Sequence, residues 1–130
     1  MIIWHASILR ILRESGLFSN VQLAGGKVRA FLTLTRFLDV HFDPTTNSYS
    51  YALVDLTISQ PGDKRQFGWD DFPHPDFAAL TSLPSYPHHF QERLPNGEWQ
   101  FSESQFRGDI EKEIHEVIHF IRQKQISGKS

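Results

Sequence analysis

The sequence predicts an α+β domain, an antiparallel β-sheet meander with N-terminal and C-terminal helices packed on one face. Three observations predict it. Apolar residues alternate through Val28–Phe42 and Tyr49–Ile58, the period of half-buried strands. Short, turn-rich connections separate the strands, as hairpins require and parallel crossovers do not. Near the C-terminus Phe106, Ile110, Ile114, Val117, Ile118 and Ile121 recur at helical period.

Each element has its own signal. Trp4–Ser15 reads as a short helix with Trp4, Ile8, Ile11 and Leu12 on one stripe, stopped by Gly16-Leu17. Asn20–Leu23 and the segment from Val28 are strands about the turn Ala24–Lys27. Val28, Ala30, Leu32, Leu34, Leu38, Val40 and Phe42 share a face that Arg36 interrupts. A strand of this length exceeds the usual, so a bulge, bend or tight hairpin is expected near Thr35–Phe37. Asp43–Asn47 is a turn. Tyr49–Ile58 then places Ala52, Val54, Leu56 and Ile58 on one side and Tyr49, Tyr51, Leu53 and Asp55 on the other. Gln60–Asp63 turns the chain into a short strand, Lys64–Trp69. Ser102 with Gln105 forms a capping box at the head of the last helix. Residues 124–130 are polar and expected to fray.

The 130 residues make one domain, 1–130, large enough to bury a core unaided. Cysteine is absent, which excludes disulfides, a thiol nucleophile and a cysteine-built zinc site. No apolar run has transmembrane length and the N-terminus lacks the basic region of a signal peptide, so a cytoplasmic protein with no membrane partner is expected. Net charge is −2 but unevenly spread. Residues 1–36 carry +4, residues 37–98 carry −6, and the remainder balances. The basic first third is consistent with a polyanionic partner.

Phe67–Gln91 concentrates the chemistry. Its 25 residues hold four prolines, three histidines, the pair Asp70-Asp71 and six aromatics. Prolines argue against long helices and central strands, and the aromatics argue against disorder. An ordered irregular loop remains, and such loops are commonly functional. One reading makes His88 or His89 the general acid or base of metal-independent RNA cleavage, with Arg36 or Arg65 stabilising the charged transition state. A second has Asp70, Asp71, His74 and one of His88 and His89 hold a divalent metal that activates water. In a third, the histidines only brace the loop. Arg36 on an apolar face needs an acid, a phosphate or solvent. Tyr49 and Tyr51 can stack bases or fill an apolar layer.

His115-Glu116-Val117-Ile118-His119 satisfies H-E-x-x-H. Its histidines lie off the isoleucine stripe, so a solvent-facing helix surface is expected rather than a zinc-protease site.

Four segments together resemble the TumE-type toxins of bacterial and archaeal toxin–antitoxin pairs. They are L-D-V-H-F (Leu38–Phe42), Y-S-Y (Tyr49–Tyr51), G-W-D-D-F-P-H-P-D (Gly68–Asp76) and Y-P-H-H-F (Tyr86–Phe90). The family pattern is a Y-S-Y strand, W-D-N-x-P-H-H and F-P-H-H-x-H, and the resemblance runs from Leu12 to Ile121. It implies a growth-inhibiting toxin directed at RNA or the ribosome rather than DNA, neutralised by a cognate antitoxin. Tyr51, Trp69, Asp70, His74, His88 and His89 fall on the pattern. Asp71, Pro75 and Gln91 depart from it, removing two imidazoles.

The expectation is therefore a toxin acting as a metal-independent RNase or on the ribosome. His88, His89, His74 and Asp70 form the catalytic set, and Arg36, Tyr51, Arg65 and Trp69 bind substrate. No cofactor is required, a divalent metal being the alternative. A RelE-like scaffold is the fold-level analogy. The rival from another class is a non-enzymatic interaction protein docking through its aromatic, Pro- and His-rich loop. Exposed Trp69, Phe72 and Phe77 would favour docking, and buried rings a catalytic cleft.

Overall fold

The computed structural model describes residues 3–127. Helix α1 (Ile3–Glu14) leads into five strands: β1 (Asn20–Ala24), β2 (Lys27–Phe31), β3 (Arg36–Asp43), β4 (Ser48–Asp55) and β5 (Arg65–Asp70). A single-turn helix α2 (Ala78–Thr81) precedes β6 (His89–Arg93) and β7 (Trp99–Glu103), and α3 (Ile110–Ser127) follows. The seven strands form one sheet in chain order, each antiparallel to its neighbours. The α+β meander expected from the sequence is the observed fold.

Both long helices cover the same face. Trp4, Ile8 and Leu12 of α1 and Ile110, Ile114, Val117, Ile118 and Ile121 of α3 meet Val28, Leu38, Val40, Tyr49, Tyr51, Leu53, Phe67 and Trp69 of the sheet. Each fully buried aliphatic or aromatic residue contributes roughly 1.5–3 kcal/mol by leaving water. The other face of the sheet, here called the open face, carries most of the polar chemistry.

Three local readings change. The Val28–Phe42 strand is a hairpin, as anticipated, but it turns at Leu32–Thr35, which leaves Leu34 at the exposed tip. The C-terminal helix begins at Ile110, not after a Ser102 cap, because β7 continues to Glu103. Phe106 still enters the core, from a loop held by Ser104 Oγ, which accepts from the Phe106 amide. Glu113 secures the head of α3, accepting from the backbone N–H of Arg107 (2.7 Å) and Gly108 (3.3 Å) and from the Tyr51 hydroxyl (2.6 Å). At the other end α3 runs to Ser127, so Lys124–Ser127 is helical rather than frayed, and 128–130 lie outside the described residues.

The segment expected to be irregular is bounded by paired strands. β5 ends at Asp70 and β6 begins at His89, and these two residues are register partners. The stretch between them, 71–88, is irregular apart from the single turn of α2 and folds back between two neighbouring strands.

Candidate functional site

Strand alternation decides which site residues meet. On β5 and β6, Phe67, Trp69 and Phe90 point toward α3, while Asp70, His89 and Gln91 point to the open face. His88, one residue before β6, falls on the helix side. The adjacent imidazoles therefore do not share a site.

His88 stacks on Tyr49, with ring centroids 5.8 Å apart, and its Nδ1 lies 2.9 Å from the Tyr49 hydroxyl. That hydroxyl donates its one proton to the Phe106 carbonyl, so His88 Nδ1 must be the donor toward Tyr49. Burial and then the Arg107 guanidinium hold the His88 pKa below its ordinary value, against the opposing pull of Asp71 and Glu113. Burial, reinforced by Glu113, also pushes the Tyr49 phenol well above the usual range.

His89 is fully buried. Its Nδ1 donates to the Pro87 carbonyl at 2.8 Å, and its Nε2 lies 2.9 Å from Gln91 Oε1 and 3.4 Å from Asp70 Oδ1. His74 reaches the same point from the irregular stretch, its ring 6.1 Å from that of His89. One potential ligand atom from each of Asp70, His74 and His89 falls within 4.8 Å of the others. Asp71 is drawn away, accepting from Ser48 Oγ at 2.7 Å.

Arg65 joins the cluster because of a β-bulge. Regular pairing would put Arg65 on the helix side with Phe67. Instead the register shifts so that Leu53 faces Phe67 while Val54 faces Arg65. This turns Arg65 to the open face, a common use of bulges beside functional sites. Arg65 chelates Asp63 at 2.6–3.0 Å and comes within 3.7 Å of Asp70. The Asp63 hydrogen bonds hold the guanidinium pKa above its ordinary value, against desolvation.

Beside Arg65 the open face is hollowed by about 280 Å³, between Lys27, Asp39, His41, Ser50, Ala52, Val54 and Arg65. Small residues make that hollow. Next to Ala52 stands Gly68, where an added Cβ would come within 2.6 Å of the Tyr51 carbonyl oxygen. Two cations of the basic first third, Lys27 and Arg29, reach this face through Asp39, at 3.9 and 2.8 Å.

The remaining expected substrate groups lie elsewhere. Tyr51 is fully buried beneath α3 with its hydroxyl on Glu113, so its ring offers no face to a base. Burial foremost, then the Glu113 bond, pushes its pKa far above the phenol range. Trp69 is packed among Phe67, Phe90, Phe106 and Phe120. Arg36 stands opposite Asp55 in the register, 3.7 Å away, and donates to Gln66 Oε1 at 3.3 Å. It found the acid that its position demanded, away from the Asp70 cluster.

Phe72 and Phe77 are 60% and 45% exposed and flank His74 at centroid distances of 4.5 and 5.8 Å. The docking-or-cleft test thus divides: Trp69 is buried, whereas the two phenylalanines at the rim are not. The one signal that marked them in sequence was their place in an aromatic, proline-rich loop. His115 and His119 rim a separate cleft of about 530 Å³ along α3, lined by Trp69, Phe106 and Phe120, on the far side of the sheet from Asp70. Among the described residues, the three-ligand gathering lies at Asp70, His74 and His89, not at the H-E-x-x-H helix. No helix of the described residues is long and apolar enough to cross a membrane.

Compared with known proteins, the chain matches the family model described as Toxin TumE over residues 7–125. No curated protein and no solved structure matches it. The match spans nearly the whole chain and both strands that frame the site, and the chain therefore belongs to the TumE family, the toxins of toxin–antitoxin pairs.

Proposed function

We propose that this toxin acts on RNA through the open face of its sheet, with Asp70, His74 and His89 as the reacting cluster and Arg65 as the cation beside it. The carrying observation is convergence: residues scattered over Asp70–His89 meet within 4.8 Å beside a cation-lined hollow. Of the three, half-buried His74 alone has a ring that solvent and substrate can reach. Its imidazole trades a proton with a 2′-hydroxyl or a leaving oxygen, the general acid–base role that histidine side chains serve. Arg65 and Lys27 supply positive charge for the phosphate. Exposed Phe72 and Phe77 replace Tyr51 and Trp69 as the rings on which unpaired bases stack. The cognate antitoxin acts by restraining this activity, and the cytoplasm, where RNA is reached, is the setting.

The test is inducible expression of wild type, His74→Ala and Asp70→Asn, following growth and total RNA integrity. Asp70→Asn keeps an oxygen to accept the Phe72 amide, a 2.9 Å bond, while removing the charge. Both variants are expected to abolish growth arrest and RNA loss at protein levels equal to wild type. Undiminished arrest and RNA loss in both would sink the reading.

A further inference from the structure

We infer that Asp70, His74 and His89 bind one divalent transition-metal ion, leaving a coordination position open to water or a phosphate oxygen. The inference deepens the RNA reading and rests on the same three residues.

The argument begins at His89. Its Nδ1–H is committed to the Pro87 carbonyl, which fixes the tautomer and leaves Nε2 as the atom turned into the cluster. A ring nitrogen held by a backbone carbonyl on its far side is the usual outer support of a metal-ligating histidine. As the Gln91 amide is oriented, Nε2 faces two acceptors, Gln91 Oε1 at 2.9 Å and Asp70 Oδ1 at 3.4 Å. In the neutral imidazole these are three lone-pair atoms turned toward one another in a buried site, an arrangement that a shared cation satisfies.

The spacing fits. A tetrahedral ion with ligands about 2.0–2.1 Å away sets neighbouring donors roughly 3.3 Å apart. Asp70 Oδ1 and His89 Nε2 stand at 3.4 Å, and the His74 atom lies within the 4.8 Å limit of both. The His74 ring offers the third donor from the rim between Phe72 and Phe77.

The supports are specific too. Asp70 is held by the Phe72 amide and by Arg65, so its carboxylate is oriented before any ion arrives. Two imidazoles and one carboxylate select first-row transition ions such as Zn²⁺ or Fe²⁺ over Mg²⁺ or Ca²⁺, which favour all-oxygen sites. Three protein ligands with one open position are the composition of a reactive rather than a purely structural ion. In this form His74 serves as a ligand, and the proton chemistry passes from imidazole to ion-bound water.

The experiment is calorimetric titration of the purified, chelator-stripped full chain with ZnCl₂, alongside His74→Ala, Asp70→Asn and His115→Ala/His119→Ala, each checked for folding by circular dichroism. Expected is one Zn²⁺ per wild-type chain. Affinity should fall at least about tenfold in His74→Ala and in Asp70→Asn, the loss already typical of altering an outer partner. The His115/His119 variant should bind as wild type does. Absence of stoichiometric binding to folded wild type overturns the inference. So does binding that survives His74→Ala or disappears with the helix pair. The substrate is tested separately: ion binding with intact RNA discards the RNA reading and keeps the site, whereas RNA cleavage undiminished by EDTA keeps the RNA reading and discards the ion.

Discussion

Tyr51 shows how a single side chain ties two elements together. Its hydroxyl reaches the carboxylate that also caps the amides of Arg107 and Gly108, and both Tyr51 and Glu113 are buried. Tyr51→Phe removes one donor from a buried carboxylate and should cost about 1.5–3 kcal/mol, measured by urea unfolding. A shift below a few tenths would mean that the capping amides suffice. His88 adds a pH dependence. Its folded pKa lies below the 6.5 of the free side chain, so the unfolded chain takes up the proton first as pH falls. The associated stability is complete above pH 6.5 and is lost as pH drops from there through the folded value. The melting temperature should fall over that range, and less steeply in His88→Gln. Equal slopes in the two proteins would contradict this. These residue-scale facts were only half legible. β4 is apolar on both sides, so alternation grouped Tyr49, Tyr51 and Leu53 together without telling which side the helices would cover.

At the scale of elements, the head of α3 depends on a glycine. Gly108 has φ +96°, and an added Cβ would lie 2.6 Å from the Asn47 carbonyl oxygen. Gly108→Ala combines left-handed strain with a backbone clash and should cost on the order of 1–3 kcal/mol, read as a lower urea midpoint. An unchanged midpoint would show that this corner can shift freely. The early strands and the isoleucine stripe could be read from periodicity because one face of each is consistently apolar. β6 could not, because its open face carries His89, Gln91 and Arg93 and its helix face offers Phe90 beside Glu92. The bulge at Arg65 leaves no compositional trace, so whether that arginine would face Asp70 was settled by pairing, not by residue type. The site was legible as a set of residues and illegible as a geometry. Its loop named Asp70, His74 and His89, but only the β5–β6 register separated His88 from them.

For the molecule as a whole, charge placement limits how strongly RNA can be held. Of the five basic residues in the first third, only Lys27 and Arg29 reach the open face, where Arg65 joins them. Arg10 pairs with Glu14 and Arg13 bonds the Val21 carbonyl, both on α1. With single-stranded nucleic acid each neutralised phosphate contributes about −0.7 to the slope of log K against log salt. Three cations then set a slope no steeper than about −2, measurable by fluorescence anisotropy with a short labelled RNA. A much steeper slope would place the RNA on some other surface.

The strand order has a consequence in time. Each strand pairs with the next one made, so the sheet can assemble in the order in which a ribosome releases it. Helix α1 is made before the sheet, yet its apolar stripe rests chiefly on β1 and β2, with Trp4 reaching Phe42 of β3, until Ile110–Ile121 follows about a hundred residues later. At roughly 5–20 residues per second, that wait lasts about 5–20 seconds. A nascent toxin of this design holds its strands in register well before its core is sealed, and it gains its full rigidity only once α3 has been made.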